Sequence, residues 1–252
     1  MFLGKMNKKM THFFLNKKMD KNTPIFRYLD MDSFLQILNG EFYVSKKKRF
    51  VDNFDAGKNV SFKEIGTNFL RVVGYENAIP QKSFDMTNVL DVLHNSQEYL
   101  TSCWTRNEDD YLMWNAYTLS NCAVCLKSTI SNVVASLVSV DDYSIWCSPM
   151  FYDGFSNLGT LEEVLFRKQH MYINENEVRF YFIGANLGDA IGNDVGKSFL
   201  GTYLEVKADL IIDKVILSPK MRGNSSDVLI QLFEERYPFL KKKIVKSNIN
   251  ID

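Results

Sequence analysis

Residues 174–183 read NENEVRFYFI, and no other stretch limits the possible folds of this chain as tightly. Alternation puts Val178, Phe180 and Phe182 on one face of a β-strand. Glu175, Glu177, Arg179 and Tyr181 fall on the other. The apolar set is expected to face a core. The second set lines up two carboxylates and a guanidinium, each about 6.6 Å from the next at the rise of a strand. Such a row is costly when buried and useful when it lines a cleft. The plainer alternative is a half-exposed strand carrying a charge ladder, since structural ion pairs also perturb ionisation. A slip of one residue would reverse every side chain, so the direction of Val178 is informative.

The rest of the chain supplies enough material for a core. Of 252 residues, 46 % are hydrophobic and 24 % charged, which fits one large domain or two small ones and argues against global disorder. The formal net charge is +0, which disfavours a strongly basic nucleic-acid clamp. No sustained apolar run marks a secretory signal or a membrane span, so a reduced, cytoplasmic protein is expected. Cys122 and Cys125 form a CAVC, but no second CxxC or nearby histidine completes a zinc set. Buried free thiols and no metal are expected.

Residues 1–22, rich in lysine, read as a flexible or partly helical arm. Residues 23–252 read as one mixed α+β domain. Residues 25–29 (IFRYL) form a first strand. Asp30 caps a short helix with the stripe Phe34, Ile37 and Leu38, ended by Asn39 and Gly40. Residues 41–45 form a second strand. Capping boxes or caps at Ser61, Asp85 and Thr160 announce further helices, the last carrying Phe166, Arg167 and Lys168. Residues 100–105 (LTSCWT) read as a strand, and Asn107 as the cap of a helix over 108–117, on which Trp114 and Tyr117 share a face. Strands follow at 121–127, 143–147, 202–206 and 214–217. A glycine-bearing stretch at 184–197 matches no phosphate-loop pattern and reads as a surface loop. A helix from Ser225 to Phe233 turns Val228, Leu229, Leu232 and Phe233 inward, and a last edge strand closes the chain. Strands and helices do not alternate as βαβ units, which favours α+β.

Four pieces together resemble a bacterial family catalogued as domain of unknown function 2971: Phe26-Arg27-Tyr28, SCWT at 102–105, LMWNAY at 112–117, and FRK with NENEVR between 166 and 179. The resemblance covers most of the chain after residue 24. It departs where an FNDP-like stretch is usual, since residues 50–55 read FVDNFD. A more distant resemblance is to ADP-ribosyltransferases. It implies a split-sheet core with inserted helices and NAD as substrate. It sets Arg27 on the first strand against NAD and Ser45 on the second, although Ser45 lies at a strand end rather than inside an S-T-S motif. It makes Glu177 the catalytic glutamate and Glu175 the acceptor-facing member of an E-x-E pair. Tyr28, Trp114 and Tyr117 complete the expected NAD contacts. Trp114 and Tyr117 equally fit plain core packing.

The residue types suit that chemistry. Cleaving the nicotinamide–ribose bond builds positive charge on the sugar, which a fixed carboxylate stabilises. A guanidinium matches a pyrophosphate, and an aromatic ring stacks on nicotinamide. The resemblance implies an NAD-dependent ADP-ribosyltransferase, a toxin or antiviral effector by the habit of such families. Its acceptor would be nucleic acid or protein, and an inhibitory protein is a further implied partner. With water as acceptor the chain becomes an NAD glycohydrolase. The rival from another class is a non-catalytic nucleotide sensor or protein-binding module. A nucleic-acid-acting enzyme of different chemistry fits less well, because Glu175 and Glu177 on one side of one strand cannot flank a scissile bond.

Overall fold

The structure, a computed structural model, describes residues 12–46, 99–138, 143–152, 165–184, 201–221 and 223–250. In chain order the elements are β1 (His12–Leu15), β2 (Pro24–Asp30), α1 (Met31–Leu38), β3 (Glu41–Lys46), β4 (Leu100–Thr105), α2 (Tyr111–Tyr117), β5 (Ala123–Thr129), α3 (Ile130–Ser136) and β6 (Tyr143–Pro149). A 3-10 helix (His170–Glu175) then leads into β7 (Glu177–Gly184). β8 (Gly201–Glu205), α4 (Ala208–Ile211), β9 (Lys214–Leu217), α5 (Gly223–Arg236), a 3-10 turn (Pro238–Leu240) and β10 (Ile244–Lys246) follow. The helices expected after Ser61 and Asp85, residues 160–164 of the one expected after Thr160, the stretch 50–55 and the loop over 185–197 lie outside the described residues. Phe166, Arg167 and Lys168, expected on that last helix, are not helical, and Arg167 forms a bridge with Phe151 instead.

The strands make one mixed sheet in the order β1-β6-β7-β4-β2-β5-β9-β10, with β3 joined to β4 and β8 to β3. This is a mixed α+β domain built on a multi-strand sheet with inserted helices. β4 is its pivot. One edge pairs with β7 from Leu100–Phe182 to Thr105–Glu177. The other edge is shared. Leu100 and Thr101 pair with Lys46 and Ser45 of β3, while Thr105 pairs with Phe26 of β2. β2 and β3 therefore diverge from a single edge, and the sheet is split between them.

The expected alternation of β7 holds. Val178, Phe180 and Phe182 are fully enclosed in the main core with Ile25, Phe34, Phe42 and Trp104. Phe34 of α1 meets Phe233 of α5 edge-on at 5.5 Å, pinning both helices to that face. The opposite face of β7 is covered as well, because Tyr181 packs among Tyr99, Met150, Leu165 and Phe166. Gly40 takes the left-handed conformation at φ +87°, as its place after α1 requires.

Several local expectations are corrected. The arm over residues 1–22 contains β1, which pairs parallel with β6 and packs Phe13 and Leu15 on the core, because that edge of β6 is open to it. Asp30 does not cap α1. Its carboxylate accepts from the backbone N–H of Leu119 and Ser120 and ties down the loop before β5. Asn107 does not cap α2. Its side chain donates to the Asn174 carbonyl, the chain turns at Asp109 (φ 45°), and Asp110 caps the shorter helix by accepting from the Met113 N–H at 3.0 Å. On α5, Val228 and Leu232 are 57 % and 54 % exposed. Leu229 and Phe233 face inward as expected, and the contact of Phe233 with Phe34 turns Ile230 inward in place of the other two. Cys125 and Cys147 are buried thiols. Cys122, just before β5, is exposed.

Candidate functional site

A cleft of about 220 Å³ opens where the sheet splits. Its composition follows from register. Thr101, Cys103 and Thr105 alternate along β4 and stand directly opposite Tyr181, Arg179 and Glu177 of β7. A row of hydroxyls and a thiol thus faces a row of charged and phenolic groups on one side of the sheet. Ser45 arrives from β3 opposite Thr101, and the Thr101 hydroxyl donates to the Ser45 carbonyl at 3.0 Å. Met113 and Tyr117 of α2 form the apolar wall. Of the seven residues singled out from the sequence, Arg27, Tyr28, Ser45, Tyr117, Glu175 and Glu177 line this cleft.

Trp114 does not. It is fully enclosed, its ring meets Tyr28 edge-on at 4.8 Å, and its Nε1 donates to Asp109 at 2.9 Å. It is a core residue that anchors α2 to β2, and its nucleotide-contact role falls. Tyr117, one turn further, is 43 % exposed and reaches the cleft. Burial raises the pKa of its hydroxyl, and the nearby carboxylate of Glu175 raises it further against the opposing pull of Lys168. Tyr28 contributes its ring only. Its hydroxyl is spent on the α2 loop, donating to the Asn107 carbonyl and accepting from the Asp110 N–H.

Arg27 shares the parity of Ile25 and Leu29, so its side chain leaves toward the main core and fills the gap between β2 and β3. Its guanidinium donates to Ser102 Oγ at 3.0 Å and the Tyr43 carbonyl at 3.2 Å and lies 4.7 Å from the centre of the Phe42 ring. Among the described residues no carboxylate pairs with it. Burial lowers its pKa to about 10, which leaves it cationic at neutral pH.

Glu175 is not on the strand. It ends the 3-10 helix, and Asn176, in the left-handed conformation at φ 47°, turns the chain into β7 at Glu177. Its carboxylate nevertheless meets that of Glu177, because the ammonium of Lys168 bonds to both. Lys168 Nζ lies 3.0 Å from Glu177 Oε2 and also touches Glu175 Oε2. Glu177 Oε1 accepts from Arg179 Nε at 2.7 Å. The thiol of Cys103 lies close enough to Glu177 to feel its charge. Burial alone would raise the Glu177 pKa, but the charges of Arg179 and Lys168 outweigh it and hold the carboxyl at about 2. Lys168 mirrors this. Burial pulls its pKa down, and the two carboxylates push it above the ordinary lysine value. Burial and the Glu177 charge push the Cys103 thiol far up, so it stays protonated.

Lys168, Cys103, Thr101 and Thr105 belong to the site and escape a reading of single motifs. Their signal is the parity of LTSCWT and a lysine seven and nine residues ahead of the two glutamates. Among the described residues, no group of three or more His, Cys, Asp or Glu side chains is placed to hold a metal ion. No helix among them is long and apolar enough to cross a membrane. Comparison with protein-family models, with curated proteins and with solved structures found no match for this chain.

Proposed function

We propose that the cleft takes the nicotinamide–ribose end of NAD and that the chain is an NAD-consuming ADP-ribosyltransferase. One observation carries this reading. Arg27, Ser45, Tyr117, Glu175 and Glu177 are scattered through the sequence, yet they line a single cleft at the split of the sheet. A cavity of about 220 Å³ lies below the roughly 300–1,000 Å³ of common ligand sites, so it suits one nucleoside half while the rest of the dinucleotide lies along the surface. Glu177 is ionised at any physiological pH, as a group that stabilises a developing ribosyl cation must be. Tyr117 offers a ring to the nicotinamide, and the guanidinium of Arg27 offers the only cation in the split, among the described residues, that no carboxylate neutralises. The acceptor in this reading is nucleic acid or protein, in the manner of a toxin or antiviral effector held by an inhibitory partner, or water for a glycohydrolase.

A second reading, a nucleotide sensor without turnover, is favoured by one feature. Both oxygens of Glu177 are already engaged by cations. An NAD titration with nicotinamide detection separates the two, with cell extract as the source of acceptor. Binding with release supports transfer, binding without release supports the sensor, and no binding removes both.

A further inference from the structure

Glu177 has two oxygens and they are not equivalent. Oε1 belongs to Arg179, whose side chain is 1 % exposed and whose rigid guanidinium is fixed on the same strand. Oε2 is the oxygen a ligand can compete for, and Lys168 stands on it. Of the two cations, Lys168 is the mobile one. Its ammonium rides on a flexible four-carbon stem from outside the strand. It has a second seat ready, since Glu175 Oε2 holds the same nitrogen and the Tyr172 ring lies 4.7 Å from it. Glu175 is itself fixed from behind, because Thr105 Oγ1 donates to its carbonyl at 2.6 Å and Asn176 turns the chain beside it.

We propose that Lys168 is a positioning residue that shields Glu177 Oε2 and moves onto Glu175 when a cationic ligand takes that oxygen. Glu175 is then the seat that draws Lys168 away from Glu177. This is a different task from the acceptor-facing one its place in an E-x-E pair implies. The inference rests on the cleft being the nicotinamide–ribose site, but it makes a demand of its own. Glu175 matters only while Lys168 is present.

The test is a double-substitution cycle read by calorimetric binding of nicotinamide riboside, a pyridinium nucleoside without phosphates. Glu175→Gln removes the second seat, leaves Lys168 on Glu177, and weakens binding about tenfold. Lys168→Met uncovers Oε2 and tightens binding about tenfold, while affinity for uncharged nicotinamide stays within a factor of about two. In the Lys168→Met background, Glu175→Gln has no further effect. Equal weakening by Glu175→Gln in both backgrounds overturns the proposal, since that is the pattern of a direct contact or a structural residue. Absence of nicotinamide riboside binding in every variant also overturns it. Lys168→Gln, which removes the ammonium and is shorter than lysine, takes the place of Lys168→Met if that variant does not fold, and the same pattern is expected of it. The two levels of the argument fail separately. Nicotinamide release from NAD without this coupling removes the role of Lys168 and leaves the transferase. The coupling without release leaves the role of Lys168 and removes the turnover.

Discussion

Replacing Glu177 with glutamine is the obvious catalytic test, and the structure says that it also perturbs the fold. The wild-type carboxylate accepts from Arg179 at 2.7 Å and Lys168 at 3.0 Å, deep in the protein. An amide has one oxygen and one NH2 group, so one of the two cations loses its acceptor and meets a donor instead. The size of the effect follows from ionisation. The carboxyl is held at about 2 against an ordinary 4.5, a difference worth about 3 kcal/mol of folding stability at neutral pH. Breaking a buried pair by removing one partner costs about 3–5 kcal/mol in general, which agrees. In a chain of this size about 3 kcal/mol lowers Tm by roughly 6–12 °C.

The sign of the pH dependence follows from the same shift. A carboxyl whose folded pKa is depressed stabilises the protein above its unfolded pKa, and the benefit drains away as pH falls toward the folded value. The gap between wild type and Glu177→Gln is therefore constant above about pH 5.5 and shrinks between about pH 4.5 and pH 2. Roughly 1 kcal/mol of it is gone by about pH 3.5. Urea unfolding of both proteins across that range measures it directly. A variant within about 0.5 kcal/mol of wild type at neutral pH would refute the reasoning, as would a gap that does not narrow in acid. The kinetic comparison must accordingly be made well below the Tm of the variant. There, loss of the charge is expected to cut nicotinamide release by about 10² or more and to weaken NAD affinity much less.

The two aromatics of α2 should separate cleanly. Trp114→Ala destabilises by about 3–5 kcal/mol in urea because the ring is enclosed, whereas Tyr117→Ala leaves stability within about 1 kcal/mol and weakens NAD binding. Arg27→Ala is expected to lower NAD affinity about tenfold or more, the scale of a lost charge-assisted contact, and unchanged affinity by calorimetry rejects its place in the site. Asp110→Ala removes the cap of α2 and costs about 1 kcal/mol, while Asn107→Ala leaves the helix N-terminus satisfied, a contrast that thermal melts of the two variants resolve.

The parts of this molecule legible in its sequence are those governed by period. The alternation of β7, the strand LTSCWT, the stripe of α1 and the glycine after it depend on neighbours two to four residues away. What was not legible depends on partners far along the chain. Asp30 looks like a helix cap and is one in position, but its carboxylate is claimed by the N–H groups of Leu119 and Ser120, 89 and 90 residues on. Trp114 and Tyr117 share a helix face, and periodicity alone could not say which end of that face the core takes. Trp114 goes inward because Tyr28 of β2 lies 4.8 Å from it. The E-x-E pattern continues the alternation by one step and so points Glu175 onto the strand. The left-handed turn at Asn176 ends the strand first, and a conformation set by a single residue leaves no trace in hydrophobic period.

The charged cluster is therefore a requirement of the fold before it is an instrument of chemistry. Once Val178, Phe180 and Phe182 are committed to the core, the pleat forces Glu177, Arg179 and Tyr181 onto the other face. That face is also covered, by Phe166, Tyr99 and Leu165. A lone carboxylate in such a place would have to stay protonated. Arg179, two residues on, and Lys168, nine residues before, allow it to remain ionised instead. The neutrality that makes the site foldable is the same neutrality that a cationic ligand must disturb. A fixed guanidinium alone would make that disturbance costly. A lysine with two carboxylate seats makes it a short lateral step, and this is why the mobile cation, rather than the glutamate, is the informative residue to change.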